Sequence, residues 1–421
     1  MRDFLKVYGP IVLLIVAGFV LTFRFVQPLP PSTIRMAAGA AGGAYAAAAQ
    51  RYREILARDG ITLEIVETKG AVENLKLLAA KDGGIDVALV QGGIGTAEAP
   101  EAIVSVASIF FEPIWVFVRG QRPTWRVAEL VGRRIAIGPE GSGTRTAALQ
   151  LLAANAIDSR NADLREIGGA DAAAALREGS IDAAFFVSAK PSEAMLSLLR
   201  VPNVALLNFE RAEAYREHFP FLSSVSVAAG SISLREDLPR RDVTLLAPAA
   251  AMLVRDDLHS ALVRLLSSTV AEAHGGRQKF SPPGAFPSAR HLDFPLHDVA
   301  KRYLESGPSF LYRYLPFIVA IWIERLFILI VPLLTLLLPL LRIGPPIYEW
   351  QVKRKIYRWY KQLRRIEADA SAATDGEARA KLARELDDID ARIRQVSVPL
   401  SHMGSLYHLR LHLQFVRNEL L

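Results

Sequence analysis

Along residues 33–207 short apolar runs alternate with longer stretches in which apolar positions recur every three or four residues. The runs at 33–38, 62–66, 87–90, 104–109, 134–137, 164–167, 183–187 and 204–207 predict strands. The stretches at 44–57, 72–80, 144–156, 172–178 and 193–199, several rich in alanine, predict helices. Strand and helix in turn is the rhythm of β-α units on a parallel sheet, so the predicted fold class is α/β.

Two further apolar runs are too long for that rhythm. Between Lys6 and Arg24 no charge occurs, and at ~1.5 Å per helical residue the stretch just reaches across a ~30 Å hydrocarbon core. Arg2 and Lys6 precede it as in a signal peptide, but no small-x-small cleavage site follows, so residues 7–23 predict an uncleaved signal anchor. The second run, 315–341, contains Glu324 and Arg325 and predicts a tilted span with those charges near one interface. Pro332 and Pro339 are expected to kink it.

Composition adds exclusions. With 421 residues, 51% hydrophobic and 22% charged, the chain has core material for about two or three domains and is not disordered. The absence of cysteine excludes disulfides, thiolate metal sites and cysteine nucleophiles. A net charge of +7 raises the question of nucleic acid, but Arg342, Lys353, Arg354, Lys355, Arg358, Lys361, Arg364 and Arg365 follow the second apolar run directly. With Trp350, Tyr357, Trp359 and Tyr360 interleaved, they read as a cytoplasmic interfacial helix on anionic lipid, not as a nucleic-acid patch. Two tail helices, at 347–372 and 377–396, meet at Thr374, Asp375 and Gly376, with a helical end at 406–420. Leu382, Leu386, Ile389 and Ile393 form a packing stripe on the second of them.

The strand and helix pattern occurs twice. A glycine-rich turn follows the first strand (Gly39, Gly42, Gly43, Tyr45), and another follows the strand at 134–137 (Gly138, Gly141, Ser142, Gly143, Thr144). Gly84-Ile85-Asp86-Val87-Ala88 is likewise echoed by Ser180-Ile181-Asp182-Ala183-Ala184. Two similar lobes are the economical reading. A glycine turn opening a helix places free N–H groups and the positive dipole end at one point, which favours a carboxylate. Each turn alone can serve chain reversal only; two equivalent turns favour a ligand cleft between lobes. Arg145, just inside the second helix, is placed either to pair with a carboxylate or to form a surface ion pair.

Enzyme chemistry finds little support. Glu140 stands where a G-x-S-x-G elbow needs its first glycine, and no triad partners present themselves. Neither turn matches a P-loop or a dinucleotide fingerprint, and His408 with His412 is at best half a metal site. No cofactor, metal or catalytic residue is expected.

The order of motifs resembles the TAXI family of solute receptors from TRAP transporters, in the periplasmic-binding-protein superfamily. The resemblance rests on 37–45, Thr68-Lys69-Gly70-Ala71-Val72-Glu73-Asn74-Leu75, Ala88-Leu89-Val90-Gln91, 138–145 and 182–187, within 33 to about 275. It implies a two-lobed type II clamshell closing on a small anionic solute, an amino acid or dicarboxylate, with TRAP-type permease subunits as partners. It places Gly42, Gly43, Tyr45, Asn74, Gln91, Ser142, Thr144 and Arg145 at or near that solute. Gly92 and Gly93 stand where the family commonly has a Ser-Asp pair, and Lys190 precedes Pro191 where a non-basic residue is usual. Two transmembrane helices and a C-terminal helical tail also depart from typical members. The expected organisation is a cytoplasmic N-terminus (1–6), signal anchor (7–23), Pro-rich linker (24–32), solute-binding domain (33–275), juxtamembrane linker (276–314), second span (315–341) and basic helical tail (342–421) of a receptor in a bacterial inner membrane. A membrane-anchored sensor or scaffold that signals through the second span is the alternative.

Overall fold

The structure, a computed structural model, describes residues 2–24, 29–80, 84–95, 102–120, 126–373 and 375–420. Residues 25–28 of the expected linker and Thr374 of the tail turn lie outside that set. The chain divides into a unit at 28–321 and a helical unit formed by 1–27 and 322–421.

In the first unit β1 (Thr33–Ala37), β2 (Thr62–Val66) and β3 (Val87–Gln91) pair in parallel in the order β2-β1-β3. Helices α2 (Ala44–Arg58) and α3 (Ala71–Ala79) make the crossovers. β3 is buried at every position, as a central parallel strand covered on both faces must be. Strand β4 (Ile103–Phe111) then leads through Glu112 and Pro113 into β5 (Ile114–Arg119), which belongs to a second sheet. There β6 (Arg134–Ala136), β7 (Asp163–Arg165) and β8 (Ala183–Val187) repeat the parallel order as β7-β6-β8, with α4 (Gly143–Ala154) and α5 (Gly169–Glu178) as crossovers. β5 lies antiparallel to β8 and to β9 (Val204–Leu206), and α6 (Glu193–Leu199), α7 (Ala212–His218) and β10 (Leu222–Val227) follow in the chain.

β11 (Val243–Arg255) returns to the first sheet. Its start pairs with β10, and its end, from Ala249 on, pairs with β3 and β4. Two cores result, one around β1–β4 and the end of β11, the other around β5–β10 and its beginning. These are lobes 1 and 2, and the main chain passes between them at 111–114 and 247–250. The crossings are tied to each other, since the Glu112 N–H donates to the Pro248 carbonyl at 2.9 Å.

The duplication is structural. Asp86 accepts from the Arg35 N–H at 2.8 Å, and Asp182 from the Arg134 N–H at 3.0 Å. The guanidinium of Arg35 reaches the Gly84 carbonyl at 3.0 Å, as that of Arg134 reaches Gly179 at 2.9 Å. The echoed Ile-Asp motif therefore fastens the strand after it to the one beside it, and takes no part in the cleft.

The sequence pattern misses β5, β10, β11, α7 and the helix α8 (Ser260–His274). β5 and β11 carry no alternation because nearly every position is buried, and the alanines of β11 mimic a helix. The stretch 276–314, expected as a linker, packs mainly on lobe 1 instead, with Phe280 against Trp115 of lobe 2. Phe294, Val299 and Ala300 are buried in the lobe 1 core with Phe317 and Ile321 beyond, and bridges join Ser105 to Leu296 and Ser108 to Ser288. Within it lie α9 (Asp298–Ser306) and α10 (Phe310–Tyr314).

The helical unit holds α1 (Arg2–Arg24), most of α11 (Phe317–Ala372), α12 (Gly376–Arg394) and α13 (Met403–Leu420). The helical assignment of α11 is unbroken through Pro332, Pro339, Pro345 and Pro346. Ile356, Trp359, Leu363, Ile366 and Ala370 of α11 share a core with Leu386, Ile389 and Ile393 of α12 and Leu406, Leu409, Leu413 and Val416 of α13. The stripe read from the sequence is thus the inner face of a three-helix bundle. Among the described residues no helix is long and apolar enough to cross a membrane. The two expected spans do fall on helices, α1 and the first part of α11, and expose large apolar side chains there, Leu13, Val20, Phe327 and Leu338 among them.

Candidate functional site

A cavity of about 220 Å³ opens between the lobes where both glycine turns meet. Lobe 1 contributes Gly39, Gly43, Tyr45, Lys69, Gly70, Gln91 and the crossing residue Glu112; lobe 2 contributes Ser142, Gly143, Thr144, Val187 and Ser188. Helices α2 and α4 both begin at its wall, and neither has an acidic residue in its first turn to neutralise the dipole. A cavity of similar volume lies within lobe 2, among Arg126, Asn155, Phe209 and Tyr215, but shares no residue with the first, and no lobe motion would seal it.

Of the expected residues, Gly43, Tyr45, Gln91, Ser142 and Thr144 line the interlobe cavity. Several of their polar groups already have protein partners. Ser142 caps α4, accepting from the Arg145 N–H at 3.2 Å while donating to Pro139 at 2.6 Å. The Thr144 hydroxyl accepts from the Val187 N–H at 3.3 Å. Gln91 donates to the Gly143 carbonyl at 3.2 Å, a bond from one lobe to the other, and Gln150 of lobe 2 donates to Gly93 of lobe 1 at 2.9 Å. The lobes also touch through glycine. A Cβ on Gly70, whose φ is +139°, would meet the Ser142 Cα at 3.3 Å, and one on Gly141 would meet Lys69 at 3.2 Å. Part of the glycine signal therefore serves closure.

Three expected residues stand elsewhere. Gly42 takes the left-handed turn (φ +77°) but does not line the cavity. Asn74 is fully buried, donates to the Leu89 carbonyl at 2.7 Å and receives the Thr68 hydroxyl, so its amide braces the turn from behind. Arg145 points to Glu166, whose Oε2 lies 2.6 Å from Nη1; that nitrogen makes no well-aligned hydrogen bond, so the contact is a charge pair. Of the two readings of Arg145, the pairing with Glu166 is the one the structure shows.

Sequence reasoning missed Lys69 as a charge and Glu112 altogether. Among the described residues lining the cavity these are the only ionisable groups besides Tyr45. The Lys69 ammonium has no acidic partner among the described residues. Glu112 is 5% exposed and accepts from the Tyr45 hydroxyl at 2.6 Å. Burial pushes its carboxyl up to about 7, against the lowering effect of Tyr45, and burial likewise raises the Tyr45 phenol well above its usual value. The available signal was one acid in an apolar stretch, Val104 to Val118. A carboxylate there must be buried or must interrupt the strands.

Two α/β lobes, crossed twice by the chain and enclosing a cavity that both line, define a periplasmic-binding-protein-like fold. The pattern of the NMT1-like family matches residues 36–306, and the chain belongs to that family. Among solved structures it is similar to the periplasmic aliphatic sulphonate binding protein SsuA from Escherichia coli, at 18% identity, over 58% of this chain and 73% of that one, with a TM-score of 0.39. It is similar also to the alkanesulfonate-binding protein SsuA from Xanthomonas axonopodis pv. citri bound to MOPS, at 20% identity over 58% and 74%, TM-score 0.38. An ancestral arginine-binding protein bound to arginine matches at 13% over 58% and 93%, TM-score 0.37. All three are solute-binding proteins, not enzymes.

Proposed function

We propose that the chain is a membrane-tethered extracytoplasmic receptor of a TRAP-type uptake system, holding a small carboxylate-bearing solute between its lobes in the periplasm. The observation that carries this is the interlobe cavity, which the starts of two helices and Lys69 line. Gly43, Tyr45, Gln91, Ser142 and Thr144 are the wall of the site; Gly42 shapes its turn, Asn74 braces it, and Arg145 supports lobe 2. The TRAP assignment rests on the ordered motifs at 37–45, 68–75, 88–91, 138–145 and 182–187. The tether rests on the exposed apolar side chains of α1 and α11 and the basic run after residue 341, which suit lipid and an anionic cytoplasmic surface. Native mass spectrometry of the purified full chain is expected to find a bound metabolite with a carboxylate. Protein with no bound metabolite, and no thermal shift with any of a panel of carboxylates, would overturn the reading.

A sensor role has one specific support. α11 begins with Phe317 and Ile321 in the lobe 1 core, and the same helix carries the bundle residues Ile356, Trp359, Leu363, Ile366 and Ala370. Hydrogen exchange in nanodiscs separates the readings: solute-dependent protection in α12 and α13 supports sensing, and protection confined to lobes 1 and 2 supports transport.

A further inference from the structure

The cavity is asymmetric in charge. Lys69 and the starts of α2 and α4 line it, all suited to an anionic group. Glu112 contributes the opposite sign, from the crossing that joins the lobes. Its backbone is fixed by the Pro248 carbonyl and its carboxyl by the Tyr45 hydroxyl, so it cannot swing out to water. Tyr45 comes from α2 and Lys69 from the loop before α3; α4 sends no charge, because Arg145 is paired with Glu166, and the end of β8 offers only Val187 and Ser188. A second carboxylate sealed in beside Glu112 would leave two like charges in a space of about 220 Å³.

We propose that Glu112 reads the charge of the solute: ionised, it takes a solute presenting an ammonium or other cationic N–H group, whereas a plain carboxylate enters only with a proton on Glu112. The preferred class is therefore a small zwitterion, with its anionic end at Lys69 and the helix starts and its cationic end at Glu112. Plain acids bind with uptake of one proton per molecule. Since burial raises the Glu112 carboxyl to about 7, that uptake falls in the neutral range. Above it, the affinity for a plain acid is expected to drop about tenfold per pH unit. The Tyr45 hydrogen bond favours the ionised form, so removing it moves the window upward.

This inference rests on the solute-binding reading, and its test keeps the two apart. The full chain in detergent is screened by thermal shift and calorimetry at pH 6 and pH 8. The probes are matched pairs: alanine with propionate, aspartate with succinate, glutamate with glutarate. The expected result is that the amino members bind at both pH values, while their partners bind at pH 6 and weaken by about tenfold or more at pH 8. Glu112→Gln is expected to abolish this pH dependence and the preference within pairs; Tyr45→Phe is expected to carry plain-acid binding to higher pH. Equal binding of both members at pH 8, or discrimination that survives Glu112→Gln, overturns the proposal and leaves the receptor reading standing. A panel that binds nowhere, in the wild type and in both variants, overturns both.

Discussion

Glu112 has a cost even in the empty protein. A carboxyl that is harder to ionise in the folded chain than in the unfolded one binds more protons when folded, so stability falls as pH rises from the ordinary glutamate value, about 4.3, to about 7, and is level beyond. Glu112→Gln, which keeps an acceptor for Tyr45, is therefore expected to raise the melting temperature at pH 8 and to change it little at pH 4. The gain at pH 8 is on the order of 3 kcal/mol, from a shift of a little over two pH units. Differential scanning calorimetry at both pH values checks this, and equal effects would mean that the carboxyl is solvated. His274 runs the other way: burial lowers its imidazole to about 4, where its Nε2 shares a 2.6 Å hydrogen bond with the Tyr52 hydroxyl, so it contributes stability that is lost as pH falls from about 6.5. At this scale the sequence was half legible. Glycine, serine and threonine at a turn are visible as types, but whether Asn74 or Arg145 faces a ligand depends on partners, Leu89 and Glu166, brought up by other elements.

Among elements, the paired clamps are the most testable. Asp182 holds Arg134 by backbone and side chain, and that guanidinium keeps its carboxyl below the usual range. The stability it contributes is present above about pH 4 and is lost as pH falls through the lower folded value. Asp182→Ala is expected to cost about 1–3 kcal/mol at neutral pH in chemical denaturation, because it leaves the Arg134 N–H without its acceptor. A second prediction concerns closure: Gly70→Ala places a Cβ against the backbone of Ser142 at a positive φ, and is expected to hold the lobes apart. Small-angle scattering would then show a larger radius of gyration than for the wild type; an unchanged radius would mean that the turn yields instead. Topology belongs here too, since a periplasmic reporter after Gly307 is expected to be active and one after Gly376 silent. Elements with a clear period, such as α2 and β2, were legible. β11 was not, because a strand buried along its length in two different cores shows neither a period of two nor an amphipathic face.

At the scale of the whole molecule, the strap from 276 to 321 touches both lobes and lies mostly on lobe 1. Lobe 1 receives the chain from α1 through β1 and returns it to α11 through Phe317, so both connections to the helical unit leave from one lobe. Lobe 2 is joined to it by the crossings at 111–114 and 247–250, by the bonds of Gln91 and Gln150, by the glycine contacts at Gly70 and Gly141, and by the strap itself, whose Phe280 ring lies 5.8 Å from that of Trp115 and whose His291 stands 3.4 Å from the Ser223 hydroxyl. Lobe 1 is thus the lobe through which the chain enters and leaves the two-lobed unit. Under the receptor reading proposed above, a partner that distinguishes a loaded chain from an empty one is expected to touch lobe 2 as well as lobe 1. On lobe 2 the faces open to it are those of α4 and α5 turned away from the cavity. Antibody fragments raised against those faces of lobe 2 would then block that contact.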